Sequence, residues 1–460
     1  MTLRVLAYIV LVGCVALGAL WLGWNGAQVL ATGVFAGFII GTLLFWKFRL
    51  AFALAGTTAL LATGVLDIPH LIEFASLDVI LFLVAMMIVI GFMEERRFFE
   101  VVVETALGYL DRRAWLLLTA LMALAAVSAA LVDEVTSILF MSAVTLQITR
   151  HFRLNPVPYV MMVVFATNIG SSATVVGNPI GVMIALRGGL TFGDFLRWAT
   201  PISILALSVA IPLSLWWFRS EVRSLDHALQ AQRPQEHAVE AERITPGDLW
   251  ACLLLFLGTV GGLILHSPLE TWMGLPKNTM LLGVSCGGAA IALFVQRANA
   301  RELVERRVDW WTLTFFLLLF ASAGTLRYVG VTREIAGGMT AMTADREGWL
   351  LFGLTWGSGV LSAVMDNVLA VATLIPVLED LQGLGVFTRP LWWGLLFGGT
   401  LFGNLTMIGS TANIVALGIL ERDEGIHVRF GQWLAPGAAV AIPTLALATL
   451  LLYLQLPLMR

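Results

Sequence analysis

Apolar runs long enough to cross a bilayer recur along nearly the whole sequence, and no other feature restricts the fold so strongly. A run of about 20 apolar residues spans a hydrocarbon layer of roughly 30 Å as a helix. Inside lipid every backbone N–H and C=O must find its partner within the protein, so such a chain folds as packed helices. Composition agrees: 59% of the 460 residues are hydrophobic and 12% are charged, against about 25% charged in soluble domains. The expected fold class is an all-α polytopic membrane protein, with the lipid bilayer as its surroundings. The net charge of −3, with no basic patch carrying interleaved aromatics, gives no footprint for nucleic acid, so none is expected as a partner. Cys14, Cys252 and Cys286 lie scattered in apolar segments without metal or disulfide spacing and read as small hydrophobes. The opening "MTLRVLAYIVLVGCVAL" has the look of a signal peptide. A second span follows at once without a small-residue cleavage site, so it reads as the first transmembrane helix.

Full spans are expected near 5–23, 27–46, 50–66 and 77–93. A hairpin-like pair follows at 114–132 and 134–149, then a span at 157–187 broken by "NIGSSATVVGNPIG". Next come 198–218, a charged loop at 219–247, and spans at 248–265, 278–296 and 309–329. The pattern then returns with a pair at 347–364 and 367–382, a span at 391–420 broken by "GNLTMIGSTAN", and a last span at 434–456. Charge placement decides how the two pairs sit, because cytoplasmic loops hold the excess of Lys and Arg. With both pairs re-entrant and the N-terminus inside, 19 of the 27 basic residues fall inside. Treating the pairs as full crossings puts the bases at 150–153, 219–243 and 297–307 outside. The re-entrant arrangement is therefore the one expected, with about eleven transmembrane elements besides the two hairpins.

The second half repeats the first. "SAALVDEVTSILFMSAVTLQI" (128–148) aligns with "LSAVMDNVLAVATLIPVLEDL" (361–381), placing Asp133 over Asp366 and Glu134 over Asn367. "SSATVVGNPIG" (171–181) aligns with "GNLTMIGSTAN" (403–413), placing Thr174 over Thr406 and Gly177 over Gly409. With the hairpins entering from opposite sides this is an inverted repeat, a plan common among secondary transporters whose ligands bind at the midplane. The organisation expected is N-terminal scaffold helices at 1–76, repeat 1 at 77–218, a cytoplasmic linker at 219–247, scaffold helices at 248–308 and repeat 2 at 309–456. Repeat 1 holds hairpin 114–149 and broken helix 157–187, and repeat 2 holds hairpin 347–382 and broken helix 391–420.

Asp133, Glu134 and Asp366 stand where a carboxylate costs about 2.5–3.5 kcal/mol on insertion scales. A tip that merely reached interfacial water would explain one such acid. Recurrence in both halves, each time beside a polar helix break, favours cation or proton binding. A carboxylate in low dielectric can exchange a proton for a metal cation such as Na⁺, which is the chemistry of an antiporter. The ligand shell expected around them comprises Thr136, Ser137, Asn168, Ser171, Thr174, Asn178, Asn367, Asn404, Thr406, Ser410, Thr411 and Asn413, with Na⁺ near Asp133 and Asp366. Some of these also serve as helix caps, since half-helix N-termini attract anions. Gly177, Pro179 and Gly409 shape the breaks. His70, His151, His227, His237, His266 and His427 fall in loops or near membrane surfaces, which argues against a proton relay through histidine. The tryptophans, among them Trp216, Trp217, Trp392 and Trp393, read as interfacial anchors. Amphipathic pieces near 95–112, 191–197 and 427–433 read as surface helices.

The strings "DEVTSILFMSAVTL", "TNIGSSATVVGNPIG", "DNVLAVATLIPVL" and "GNLTMIGSTANIVALGI" resemble the ion transporter superfamily, nearest to its ArsB/NhaD permease group. That group contains arsenite permeases, NhaD-type sodium–proton antiporters and the melanosomal P protein, with the sodium-coupled dicarboxylate and citrate symporters more distant. The resemblance covers both repeats and implies a dimerising scaffold, hence a homodimer, and a transport domain that moves elevator-fashion. It carries binding roles onto 133–137, 168–181, 366–370 and 403–413. This sequence departs from the P-protein-like pattern, which tends to "DN" at both tips and "IGDPPN" at the first break. Here the first tip is Asp133-Glu134, and the first break reads Val176-Gly177-Asn178-Pro179-Ile180-Gly181. Fixed negative charge at the tips argues against a simple dicarboxylate carrier.

The function expected is secondary active ion transport across the inner or plasma membrane, by proton-coupled Na⁺/H⁺ antiport, with the N-terminus cytoplasmic. The alternative in the same fold is a permease for arsenite, another oxyanion or a citrate-like carboxylate. An intramembrane aspartyl protease built on Asp133 and Asp366 is remote, since the Gly-rich context expected beside one such acid is missing. A passive channel is disfavoured too, because nothing suggests a symmetric gate-lined pore. No enzyme activity is expected, and no cofactor beyond the coupling or transported H⁺ or Na⁺. The partner is a small ion or small molecule.

Overall fold

The computed structural model describes residues 2–99, 101–102, 113–231, 245–343 and 346–460. Among these every regular element is a helix. Among the described residues, eight helices are long and apolar enough to cross a membrane. A ninth results if Trp310–Tyr328 and Val331–Thr343, bent by 68° relative to each other, count as one span. Gly330 at that bend has φ +84°, a conformation glycine adopts without the penalty a Cβ would bring. The segment expected to span at 50–66 is the shorter helix Arg49–Ala62, of 14 residues.

Both hairpins form. The first joins Ala114–Leu131 to Glu134–His151, and the second joins Glu347–Val364 to Asn367–Gly383. Asp133 and Asp366 are the N-caps of the returning arms. The Asp133 carboxylate accepts from the backbone N–H of Val135 at 2.7 Å and of Thr136 at 2.9 Å. The Asp366 carboxylate accepts from Val368 N–H at 3.0 Å. A helix start leaves several N–H donors without partners, and an anion there also meets the positive end of the helix dipole. The acid that interrupts each apolar run is thus what starts the second arm.

Each hairpin lies along a broken helix. The first consists of Val157–Ser171, a 3₁₀ turn at Val175–Gly177 and Pro179–Gly188. The second consists of Arg389–Leu401, Phe402–Leu405 and Thr411–Glu424. In both repeats the first hairpin arm packs on the first half of the broken helix. Small residues permit this: a Cβ at Gly170 would stand 2.1 Å from the Ala126 carbonyl oxygen, and one at Gly398 would stand 2.0 Å from Ser358 Oγ. A threonine then pins each tip to its break. Thr174 Oγ1 donates to the Ala130 carbonyl, and its repeat partner Thr406 donates to the Ala363 carbonyl at 2.6 Å.

The hairpins enter from opposite ends. The first opens beside the end of the second broken helix, where Arg150 pairs with Glu424 at 2.5 Å. The second opens beside Arg187, at the end of the first broken helix, where Arg187 and Glu379 share a cavity wall. Helices Phe192–Trp217 and Phe430–Met459 pack together and close the two repeats on each other.

Several surface assignments do not hold. Residues 191–197 are no separate surface helix: Phe192 and Phe195 are buried in the start of Phe192–Trp217, and the Phe195 ring meets Trp393 at 4.9 Å. Residues 427–433 run into Phe430–Met459, with Trp433 buried against Phe165 at 5.7 Å. The third piece, near 95–112, lies partly outside the described residues, at 100 and 103–112. Trp392 and Trp393 are core residues, whereas Trp216 and Trp217 are exposed as expected of anchors. His266 is not in a loop; it is buried within Pro246–Met273 with Nδ1 2.7 Å from the Leu263 carbonyl oxygen. The charged linker at 219–247 is partly helical, as expected, over Arg219–Ala231, while 232–244 and its His237 lie outside the described residues. Of the cysteines, Cys252 is buried and Cys14 and Cys286 are exposed.

Candidate functional site

The two tips meet at Glu134. Its carboxylate accepts from Asn367 Nδ2 at 3.3 Å on one oxygen and from Ser171 Oγ at 3.2 Å on the other. Asn367 comes from the second hairpin and Ser171 from the first broken helix, so three separate elements converge on one acid. Ser171 Oγ accepts in turn from Asn178 Nδ2 at 2.8 Å. Its single proton has a second acceptor in the Asn168 carbonyl at 3.0 Å, so the bond to Glu134 can be given up without leaving the hydroxyl unpaired. Asp366 is held within its own repeat, by the second broken helix: its second oxygen accepts from Thr411 Oγ1 at 2.6 Å.

Behind the acids lies an amide cluster centred on Asn168. Its Nδ2 donates to Asn404 Oδ1 at 2.7 Å and to Asn413 Oδ1 at 2.8 Å, while its Oδ1 accepts from Ser410 Oγ at 2.9 Å. Asn413 Nδ2 donates to the carbonyls of Gly403 at 2.9 Å and Thr406 at 2.8 Å, which are freed by the break in the helix. Asn404 Nδ2 reaches the Phe165 carbonyl at 3.3 Å, and the Trp433 indole donates to the Asn404 carbonyl at 3.1 Å. One asparagine of repeat 1 therefore ties down both edges of the break in repeat 2.

Four helix N-termini converge here, capped by Asp133, Asp366, Asn178 and Ser410. Each contributes about half a positive charge, roughly +2 together, against three carboxylates. The N-termini thus offset part of the carboxylates' charge, and a proton or a monovalent cation can offset more. Glu134 is 1% and Asp366 6% exposed, and among the described residues neither has a salt-bridge partner. Glu134 lies in the repulsive fields of Asp366 and Asp133. The donors on offer are oxygens and amides, the set that hard cations take. No group of three or more His, Cys, Asp or Glu side chains placed to hold a metal ion occurs among the described residues.

The other sequence candidates stand around this centre. Thr136 contributes a backbone N–H to Asp133, and Ser137 Oγ pins the hairpin arms through the Ala125 carbonyl at 3.1 Å and the Ser128 hydroxyl. Thr174 and Thr406 hold the tips as described, and Gly177 and Gly409 let the broken backbone pass close to itself. Arg49 is a residue that sequence reasoning used only as a cytoplasmic charge. Its guanidinium donates to Thr312 Oγ1 at 2.7 Å, stacks 4.4 Å from the Trp46 ring centre, and lies in the field of Asp366. Only its position beside "FWKFR" hinted at that, since aromatic neighbours often shield a partly buried Arg.

Two inverted units of hairpin and broken helix, closed around buried carboxylates and amides, define a multi-pass membrane transporter. The sequence profile of the CitMHS family, described as citrate transporter, matches residues 35–398. The chain belongs to that family, within the ion transporter superfamily. It is 32% identical over 385 residues to an uncharacterized transporter of Mycobacterium bovis, covering 82% of this chain and 86% of that one. It is 28% identical over 475 residues to the human P protein, covering 85% of this chain and 56% of that one. The YdaH transporter of Alcanivorax borkumensis has a similar structure, with TM-score 0.61 over 85% of this chain and 87% of that chain. At 16% identity the likeness to YdaH is one of fold alone.

Proposed function

We propose that this chain is a proton-coupled cation antiporter, exchanging H⁺ for Na⁺ or a similar cation at Asp133, Glu134 and Asp366. The observation that carries the reading is the meeting of the two tips, where Asn367 of one repeat binds Glu134 of the other and Thr411 holds Asp366. Protonation of a carboxylate and binding of a cation are alternatives at such a centre, because both neutralise the same carboxylate. Asn168, Asn178, Asn404, Asn413, Ser171, Ser410 and Thr411 then supply neutral oxygens once the cation sheds water. In this reading the protein sits in the inner membrane with its N-terminus in the cytoplasm, which the bias of basic residues supports.

In everted vesicles energised to a fixed ΔpH, added Na⁺ or Li⁺ should dissipate the gradient with the native protein and leave it intact with Asp366→Asn. Normal exchange by that variant removes Asp366 from the mechanism.

A second reading is favoured by the family match: the cargo is a citrate-like carboxylate and the cation or proton is its driving ion. The acidic centre then binds the driving ion, and the anionic cargo must be met by other residues. Uptake of labelled citrate under an imposed pH or Na⁺ gradient distinguishes the two readings.

A further inference from the structure

A second polar site lies where the second hairpin opens. A cavity of about 400 Å³ is walled by the half-helix Pro179–Gly188, the hairpin arm Asn367–Gly383, and the helices Leu77–Glu94 and Trp310–Tyr328. Two of these walls carry the central site. Glu379 is 13 residues beyond Asp366 and Arg187 is 9 beyond Asn178, so the mouth stands about 14–20 Å from the central site along the helices. Ala372, Ile375 and Pro376 line the way down.

The basic groups missing from the centre are in this cavity. Arg327 pairs with Glu379 at 2.5 Å and with Asp380 at 3.2 Å, and Arg187 pairs with Asp78 at 2.7 Å. Thr332 also donates to Asp380 at 2.5 Å. Each pair joins a helix that carries the central site to one that does not. The pairs are part-exposed, so they add little net stability and can open at small cost, which leaves the guanidinium free for another carboxylate. Guanidinium suits this exchange, because its fork accepts either carboxylate in the same geometry.

We propose that this cavity is a receiving site for a carboxylate cargo, in which Arg327 and Arg187 bind the cargo's carboxylates in place of Glu379, Asp380 and Asp78. This rests on the carboxylate reading of the cargo. It separates cargo from driving ion, because the two are met at different residues and only the cargo is offered guanidinium groups. Occupancy also frees the hairpin arm and the half-helix from their neighbours, so cargo binding unlocks the elements that carry the ion site. Glu73 faces the same cavity and is exposed. Its charge favours a cargo that turns a hydroxyl or a protonated carboxyl toward it.

The test is citrate binding to the purified full-length protein in nanodiscs, by calorimetry and by scintillation proximity with labelled citrate. Arg327→Gln and Arg187→Gln should each weaken binding at least tenfold, and Arg327→Lys should weaken it less. The double variant E379Q/D380N removes the internal competitor and should bind severalfold tighter. That gain decides the matter even where an arginine variant fails to fold. If citrate binds and is transported but all of these variants bind it as the native protein does, the cavity is not the receiving site. If neither citrate nor succinate nor tricarballylate binds the native protein or is transported by it, the carboxylate reading falls and the proposal with it. The Na⁺-driven pH response of Asp366→Asn is a separate measurement and bears on the ion site alone.

Discussion

Two glycines show how little room the ion site leaves. A Cβ at Gly177 would stand 2.2 Å from the Ser171 carbonyl oxygen, and one at Gly409 would stand 2.6 Å from the Gly403 carbonyl oxygen. These are the same contact in the two repeats, and backbone atoms cannot swing aside as a flexible side chain can. Overpacking a tight interior costs about 1–3 kcal/mol, so Gly409→Ala should lower the thermal unfolding midpoint clearly. Gly287→Ala, with open space around it, should melt like the native protein. Equal melting of the two variants would show that the turn has slack. The pairing of Gly177 with Gly409 is visible in the aligned strings, but the atoms they make room for are not. The carbonyl of Ser171 reaches Gly177 only because the helix breaks between them.

At the scale of elements, the hairpins and broken helices hold each other through side chains from the opposite repeat. Asn168 is the clearest case, since it uses both donor protons and its oxygen on Asn404, Asn413 and Ser410. Each buried polar group left without a partner costs about 1–3 kcal/mol. Asn168→Ala should therefore lower the unfolding midpoint far more than Thr373→Ala, whose hydroxyl returns to its own helix at Leu369. A small loss for Asn168→Ala would mean that the amide cluster is held by other bonds. These elements were legible because an acid or a glycine–asparagine break inside an apolar run has few physical explanations. The aromatic pieces near 191–197 and 427–433 were not. A stripe of Phe and Trp looks the same lying on a membrane surface as wedged between helices, and only the neighbours Trp393 and Phe165 decide between them. Trp392 and Trp393, expected as anchors and found in the core, were misplaced for the same reason.

For the whole molecule, the question is which packed bodies move against each other. The sequence offered no sign of the ion pairs at the mouth of the cavity. Arg187 and Asp78 are separated by 109 positions, and hydropathy patterns carry no information about which charged ends meet. Their arrangement bears directly on motion. The arm Asn367–Gly383 is tied to the bent pair Trp310–Tyr328 and Val331–Thr343 through Arg327 and Thr332. A transport cycle that shifts the hairpins past those helices must break these bonds once per turnover. Thr332 and Asp380 are hydrogen-bonded neighbours on facing helices, so cysteines at the two positions can be tested for a disulfide across the boundary. In a background with Cys14, Cys252 and Cys286 replaced, Thr332→Cys with Asp380→Cys should transport when reduced and stop when oxidised. Dithiothreitol should then restore the rate, showing that the block lies in the bond and not in the substitutions. Full transport by quantitatively oxidised protein would mean that the hairpin and the bent pair travel together, and the moving boundary would have to lie elsewhere in the bundle.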